Sequence, residues 1–195
     1  MTTTNTINNN EEISVSGYMI YVTSLSDYSA GIHHGRWIDC LQGPNDVWEE
    51  INGLLAASPT AAQTGIPAEE WAIHDYDFNG ASLAEFEDIE KLCALAKALD
   101  ELDAPEAFTA FWEYEEFSDV DVALSAFNDA YQGTYNSVED WAEEFAEGTG
   151  MLDSIPENLR CYFDFEAFAR DVECSGDIFS VDVPSGNVAV FWSHY

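Results

Sequence analysis

The alternation of apolar and polar positions is most regular between residues 137 and 148. Val138, Trp141, Ala142 and Phe145 recur at i, i+3, i+4 and i+7, the spacing of one stripe of an α-helix, and that stripe is committed to burial. Ser137 stands where an N-cap belongs and Gly148 where such a helix ends. Asp140, Glu143, Glu144 and Glu147 follow the same spacing half a turn away. Four carboxylates thus line about 10.5 Å of helix at 1.5 Å per residue, with no Lys or Arg among them. Like charges at i, i+4 destabilise a helix, so this face invites a functional reason.

Applied to the rest of the chain, the same reading predicts an α+β protein of two to three small domains with short antiparallel sheets and acidic helices. Residues 13–23, rich in Ile, Val and Tyr, read as a strand, and a polar loop with His33 and His34 leads to a second strand at Trp37 and Ile38. Residues 44–57 form a helix with Val47, Ile51, Leu54 and Leu55 on its buried stripe. Residues 58–67, with two prolines and a glycine, read as a linker, and 70–75 alternate as a short strand. Ser82 with Glu85 makes a capping box opening a helix over 83–102, whose stripe is Phe86, Ile89, Cys93, Ala96 and Leu99. Ser118 caps a helix with Val120, Leu124, Phe127 and Tyr131 on one face and Gly133 at its C′ position. Asp164 caps 165–172, and residues 178–192 form a β-hairpin that needs a partner surface. The domains expected are a disordered lead at 1–12, an α+β domain at 13–60, a mainly helical domain at 61–104, and a C-terminal α+β domain at 105–195.

Charge changes this picture. The 195 residues carry 38 Asp and Glu against 5 Lys and Arg, a net charge of −33, while 47% hydrophobic and 14% aromatic content is ample for a packed core. Duplex DNA carries one charge per about 1.7 Å, so this chain matches the charge on roughly 56 Å of duplex. A merely soluble, halophile-like surface has the same composition. Direct binding to nucleic acid is disfavoured, because Lys and Arg supply that affinity, and the partner expected is basic. No apolar run is long enough for a membrane span and the N-terminus lacks signal-peptide features, so a cytoplasmic location is expected. Cys40, Cys93, Cys161 and Cys174 lack C-x-x-C spacing and read as buried free thiols.

One pattern points to a metal. Asp75, Asp77, Asn79 and Gly80 match positions 1, 3, 5 and 6 of an EF-hand loop, but position 12 is Phe86, with Glu85 and Glu87 one residue off on either side. A calcium-binding acidic module is therefore an alternative reading, beside a generic acidic binder of another basic protein. Adjacent His33 and His34 point to opposite sides of an extended chain and read as loop residues. No G-x-S-x-G, Walker loop, dinucleotide fingerprint or H-E-x-x-H occurs. No catalytic residue, metal or cofactor is assigned, and the protein is expected not to be an enzyme.

Four spaced stretches, YVTSLSDYSAGIHHGRWIDC, EEWAIHDYDF, AFNDAYQGTYNSVEDWAEEFAEG and LRCYFDFEAFARDV, resemble the ArdA antirestriction proteins. The likeness is strongest where the patterns A-Y-x-G-x-Y and Y-F-D-x-E-A-x-A-R-D stand in order. The lead before residue 13 and the stretch 58–67 depart from the family pattern. The resemblance implies a DNA mimic of mobile genetic elements that occupies the DNA channel of type I restriction-modification enzymes, formed by their DNA-binding and methyltransferase subunits. It also implies an elongated homodimer. The mimic surface expected comprises Glu85, Glu87 and Asp88; Glu113, Glu115 and Glu116; Asp119, Asp121 and Asp129; Glu139, Asp140, Glu143, Glu144 and Glu147; and Glu166 and Asp171.

Overall fold

The computed structural model describes residues 17–194 and divides the chain into one unit up to Asp103 and another from Ala104. The expected lead at 1–12, and residues 13–16 of the expected first strand, lie outside the described residues. Each unit is a mixed α/β assembly built on a three-stranded antiparallel sheet.

In the first unit β1 (Tyr18–Ser24) is the central strand, antiparallel to β2 (Gly35–Asp39) and β3 (Trp71–Phe78). Its residues are buried almost throughout, with Ile20 and Val22 fully so, because a central strand has neighbours on both edges and helices to cover it. β3 ties residues 71–78 to the sheet formed by residues 18–39, so the segments 13–60 and 61–104 share one sheet. Between β1 and β2 the polar loop contains a short helix, α1 (Leu25–Ser29), and a 3-10 turn, Cys40–Gln42, follows β2. Helix α2 (Pro44–Ala56) buries Val47, Ile51, Leu54 and Leu55, the stripe its spacing predicts, and Pro44 occupies the first turn, where its missing N–H leaves nothing unpaired.

Two expectations need correction here. The stretch 58–67 is not a plain linker: it holds α3 (Pro59–Thr64), opened by the Ser58 hydroxyl accepting from Ala61 N–H at 3.1 Å and closed by Gly65 in the left-handed region at φ 73°. Six residues are too few for a helical period to show in the sequence. The helix expected over 83–102 begins later, as α4 (Ile89–Glu101), with Asp88 as its cap, accepting from Lys91 N–H at 2.8 Å. Ile73 N–H donates to the Glu85 carbonyl at 2.9 Å, holding the preceding residues beside β3, so the Ser82 capping box does not open the helix and Phe86 is exposed. The remaining stripe, Ile89, Cys93, Ala96 and Leu99, is buried as the spacing predicts.

Asp27 on α1 is a buried carboxylate that ties α1 to α3. Its Oδ1 accepts from the Ser58 hydroxyl and from Thr60 N–H, both at 2.8 Å. Burial pushes its pKa up, but hydrogen bonds from Thr60, Ser58 and Ser24 together outweigh burial and bring it down to about 2.

The second unit runs α5 (Pro105–Tyr114), α6 (Val120–Ala130), β4 (Tyr131–Tyr135), α7 (Val138–Gly148), α8 (Glu157–Arg160), α9 (Phe165–Ser175), β5 (Ile178–Asp182) and β6 (Val188–Trp192). Its sheet has the order β4-β6-β5, and the terminal hairpin forms as the sequence predicts, with Val183 N–H donating to the Asn187 carbonyl at 2.9 Å. The cap of α6 is Asp119 rather than Ser118. Tyr131 leaves the helix because its backbone pairs with Phe191, and Gly133 lies at an irregularity in the β4–β6 register at φ 144° instead of ending a helix. Trp141, Ala142, Ala169, Ile178 and Val190 form one buried cluster between α7, α9 and the sheet. Phe108, Phe111, Phe127 and Phe191 fill another part of the unit with mutually packed rings. Cys40 and Cys93 are buried as expected, but Cys161 and Cys174 are exposed, Cys161 just after the single turn α8 and Cys174 in the last turn of α9. Among the described residues, no helix is long and apolar enough to cross a membrane.

Asp27 generates a stability prediction. A carboxylate with a depressed folded-state pKa stabilises the fold above its ordinary value of 3.8, and that contribution fades as pH falls towards about 2. Asp27→Asn should lose about 2 kcal/mol at neutral pH through weakened hydrogen bonds in a buried site. Urea titrations from pH 7 to pH 2 should show the gap between wild type and variant closing below pH 4; a constant gap would refute the ionised role.

Candidate interaction surface

Six of the sixteen carboxylates of the expected surface stand at helix starts. The first backbone N–H groups of a helix have no partner within it, and the helix dipole places partial positive charge there, so a carboxylate at that position is worth about 0.3–1 kcal/mol. Asp88, Asp119 and Asp164 cap α4, α6 and α9 through their side-chain oxygens at 2.8, 3.0 and 2.9 Å. Asp121, Glu139, Asp140 and Glu166 lie in the first turns of α6, α7 and α9. Many short helices therefore give this chain many places where acid stabilises instead of merely repelling.

On α7 the division of faces is clean. Trp141, Ala142 and Ala146 are buried and Val138 and Phe145 half-buried, while Glu139, Glu143, Glu144 and Glu147 are exposed. Asp140 is half-buried and accepts from Asn136 Nδ2 at 2.9 Å, which makes it partly a local structural group. The Tyr135 phenol is pushed up in pKa, first by burial and then by the charge on Glu144 and by Tyr131. Asp129 on α6 and Asp171 on α9 are exposed.

The end of α5 carries Glu113, Glu115 and Glu116, all exposed. Phe117 N–H donates back to the Trp112 carbonyl at 3.2 Å, closing the helix in a Schellman turn whose left-handed position is Glu116, at φ 55°. Glycine ordinarily takes that position because a side chain there costs about 1–2 kcal/mol. A carboxylate is held where backbone geometry favours having no side chain at all.

In the first unit the acids are more engaged. Glu85 Oε1 lies 4.0 Å from His74 Nε2, and Glu87 is half-buried, pairs with Lys91 at 3.6 Å and accepts from Ala84 N–H at 3.3 Å. Among the described residues Arg36 pairs with Glu50, Lys91 with Glu87, Lys97 with Glu101, and Arg160 with Asp153. Arg160 turns to Asp153 at 3.5 Å and to the Ile155 carbonyl.

The calcium reading does not survive the backbone. Asp75 and Asp77 lie within β3, extended and paired with Tyr21 and Met19, and Asn79 and Gly80 make a tight turn closed by Ala81 N–H on the Phe78 carbonyl at 3.0 Å. An EF-hand loop winds its ligands around one ion; a strand spaces them along a line. Among the described residues no three His, Cys, Asp or Glu side chains are grouped to hold a metal. Asp75 and Asp77 are instead further exposed carboxylates, at i and i+2 on one face of an edge strand. The signal that could have found them is the period-two alternation, which the match to a loop motif obscured.

Compared with known families, residues 20–185 match the model described as antirestriction protein (ArdA). The chain belongs to the ArdA antirestriction family. ArdA proteins are inhibitors that act on restriction enzymes. No curated protein matches the chain. The two patterns that carried the ArdA resemblance have clear physical tasks. Ala130, Tyr131, Gly133 and Tyr135 make the junction from α6 into β4, and in the second pattern Asp164 caps α9 while Ala169 is buried beneath it. Both fix the frame of this ArdA unit, on which Glu166 and Asp171 are displayed.

Glu116→Gly should relieve the left-handed strain and raise stability by about 1 kcal/mol. Glu116→Ala removes the same charge but keeps the strain, so thermal unfolding of the two variants separates backbone relief from reduced repulsion. Equal midpoints would show that the left-handed backbone carries no penalty.

Proposed function

We propose that this protein blocks type I restriction-modification enzymes by placing its carboxylates where duplex phosphates would sit in their DNA channel. Family membership supports antirestriction as the role, and the observation that carries mimicry is the face of α7. Its acids from position 140 to 147 span about 10.5 Å of helix. One strand of duplex places four phosphates over about 10.2 Å at 3.4 Å each. The carboxylates of α5, α6 and α7 are mounted on helices anchored by Phe108 and Phe111, by Phe127 and by Trp141, so their spacing is set by folded structure rather than by a flexible tail. Lysines and arginines of the channel that neutralise duplex phosphates release the cations held around those phosphates, and pairing with these carboxylates in place of phosphates likewise frees bound salt ions. No bond is made or broken in this inhibition.

Binding of this kind is spread over many contacts. A single carboxylate-to-amide change should weaken competition with DNA only slightly, with Asp140 the least sensitive because Asn136 already engages it. Changing Asp140, Glu143, Glu144 and Glu147 together should lower the slope of log affinity against log salt by about 3–4. Competition assays at several salt concentrations test this; an unchanged slope and unchanged inhibition would remove α7 from the mimic surface. A merely soluble acidic protein would not compete with DNA at any salt.

The same reading makes the active form a homodimer, doubling the acidic length to the charge of roughly 110 Å of duplex. An open, largely apolar cleft of about 330 Å³, lined by Phe145, Met151, Phe168, Val172 and Trp192 together with Asp177 and His194, adjoins the terminal hairpin and offers a face for a second copy. Screening weakens repulsion between two such chains, so sedimentation should show association strengthening as salt rises. A monomer at micromolar concentration in high salt would overturn the dimer.

A further inference from the structure

The second unit contains a column of nearly parallel rings that runs from its core to its surface. Phe111 stacks on Phe191 at 4.8 Å and 26°, Phe191 on Phe179 at 5.1 Å and 20°, and Phe179 on Tyr114 at 4.9 Å and 13°. The register of the hairpin creates the middle of this column, because Phe179 and Phe191 are directly opposed on β5 and β6. Phe111 and Phe191 are fully buried, whereas Tyr114, at the end of α5, is 56% exposed. More than half of this side chain's surface stays open to solvent. Its ring is nonetheless held in orientation by the stack beneath it, so little freedom remains to be lost when something lies upon it.

The neighbours of Tyr114 specify what that something is. Glu113 precedes it and Glu115 and Glu116 follow it, all exposed, on a chain of net charge −33. A neutral planar ligand would gain nothing from that setting, and an anion would be repelled. A cation is drawn both by the carboxylates and by the negative face of the ring. Between the two protein cations, the guanidinium is planar, less strongly hydrated than an ammonium and able to stack, so it fits a flat platform better than lysine does.

We infer that Tyr114 is a stacking platform for an arginine side chain of the basic partner, giving the acidic surface a preference for arginine over lysine that charge alone does not confer. This rests on the proposed reading only in requiring a basic partner. It adds a short-range contact whose strength does not depend on counterion release, and aromatic–arginine contacts of this kind are frequent anchors in protein interfaces.

The test uses oligo-arginine and oligo-lysine peptides of equal length, titrated against the full-length protein at matched salt. Wild type should bind oligo-arginine more tightly than Tyr114→Leu does by about two- to fivefold, the range for an exposed cation–π contact. Binding of oligo-lysine should change less. Tyr114→Phe should retain the arginine preference, and the salt slope should be the same for all three proteins, since no charge is altered. Circular dichroism confirms that the variants are folded. In case Tyr114→Leu unsettles the stack, the unsubstituted protein gives an independent reading: the Tyr114 ring resonances should shift on adding oligo-arginine far more than on adding oligo-lysine. An arginine-to-lysine ratio that is the same in wild type and Tyr114→Leu, or equal ring shifts with the two peptides, would overturn the proposal. Failure to inhibit a type I enzyme would instead sink the mimic reading and leave the peptide result standing.

Discussion

Self-repulsion among 33 net negative charges works against any compact state of this chain, and each unit has only about a hundred residues with which to oppose it. The opposing force is apolar burial concentrated in large side chains. In the second unit Trp141 is fully buried among Ala142, Ala169, Ile178 and Val190, and Phe108, Phe111 and Phe191 are fully buried in a separate group of packed rings, so a few residues remove much apolar surface from water. In the first unit the central strand β1 and the stripes of α2 and α4 do the same with aliphatic residues. These cores let the carboxylates remain outside and close together.

The distribution of acid reduces the repulsion as well as displaying it. Asp88, Asp119 and Asp164 each satisfy a backbone donor that would otherwise be left open, and first-turn acids oppose the dipole of the helix that carries them. A long helix has one start; a chain of short helices has many. The helix ends show the complement, since basic residues are absent from the last turns of the described helices except for Arg160 in α8. One group of residues therefore serves folding and surface charge together, and removing an acid at a helix start changes both.

Not every carboxylate is equivalent for recognition. Glu87 and Asp140 are half-buried and bound to local partners, and Asp27 is a wholly internal strut, so in the proposed mimicry Glu87 and Asp140 contribute less than a fully open carboxylate and Asp27 contributes nothing. Glu143, Glu144 and Glu147 stand in solvent on a helix whose opposite face is locked by Trp141. Glu116 is held out by a strained turn. In the proposed mimicry, rigidity at these positions matters because charges that must first be ordered lose part of the binding free energy to that ordering.

By itself the sequence determined the features that depend on neighbours within a few residues. The stripes of α2 and α7, the caps Ser137 and Asp164, the terminal hairpin, and the family patterns are all local periodicities or spacings, and they are found where the spacing places them. Tertiary structure decided the rest because distant backbone competes for the same hydrogen bonds. The spacing names Ser82 as the cap, but Asp88 caps the helix, because Ile73 of β3 engages the Glu85 carbonyl and holds the intervening residues beside the strand. Gly133 suits a helix end equally well, until Phe191 draws Tyr131 into a strand. Asp75 and Asp77 resemble ion ligands until β1 pairs with them. Asp27 and Tyr114 have no local signature, since the buried strut requires Ser58 and Thr60 and the stacked platform requires Phe179, residues that only the fold brings to them.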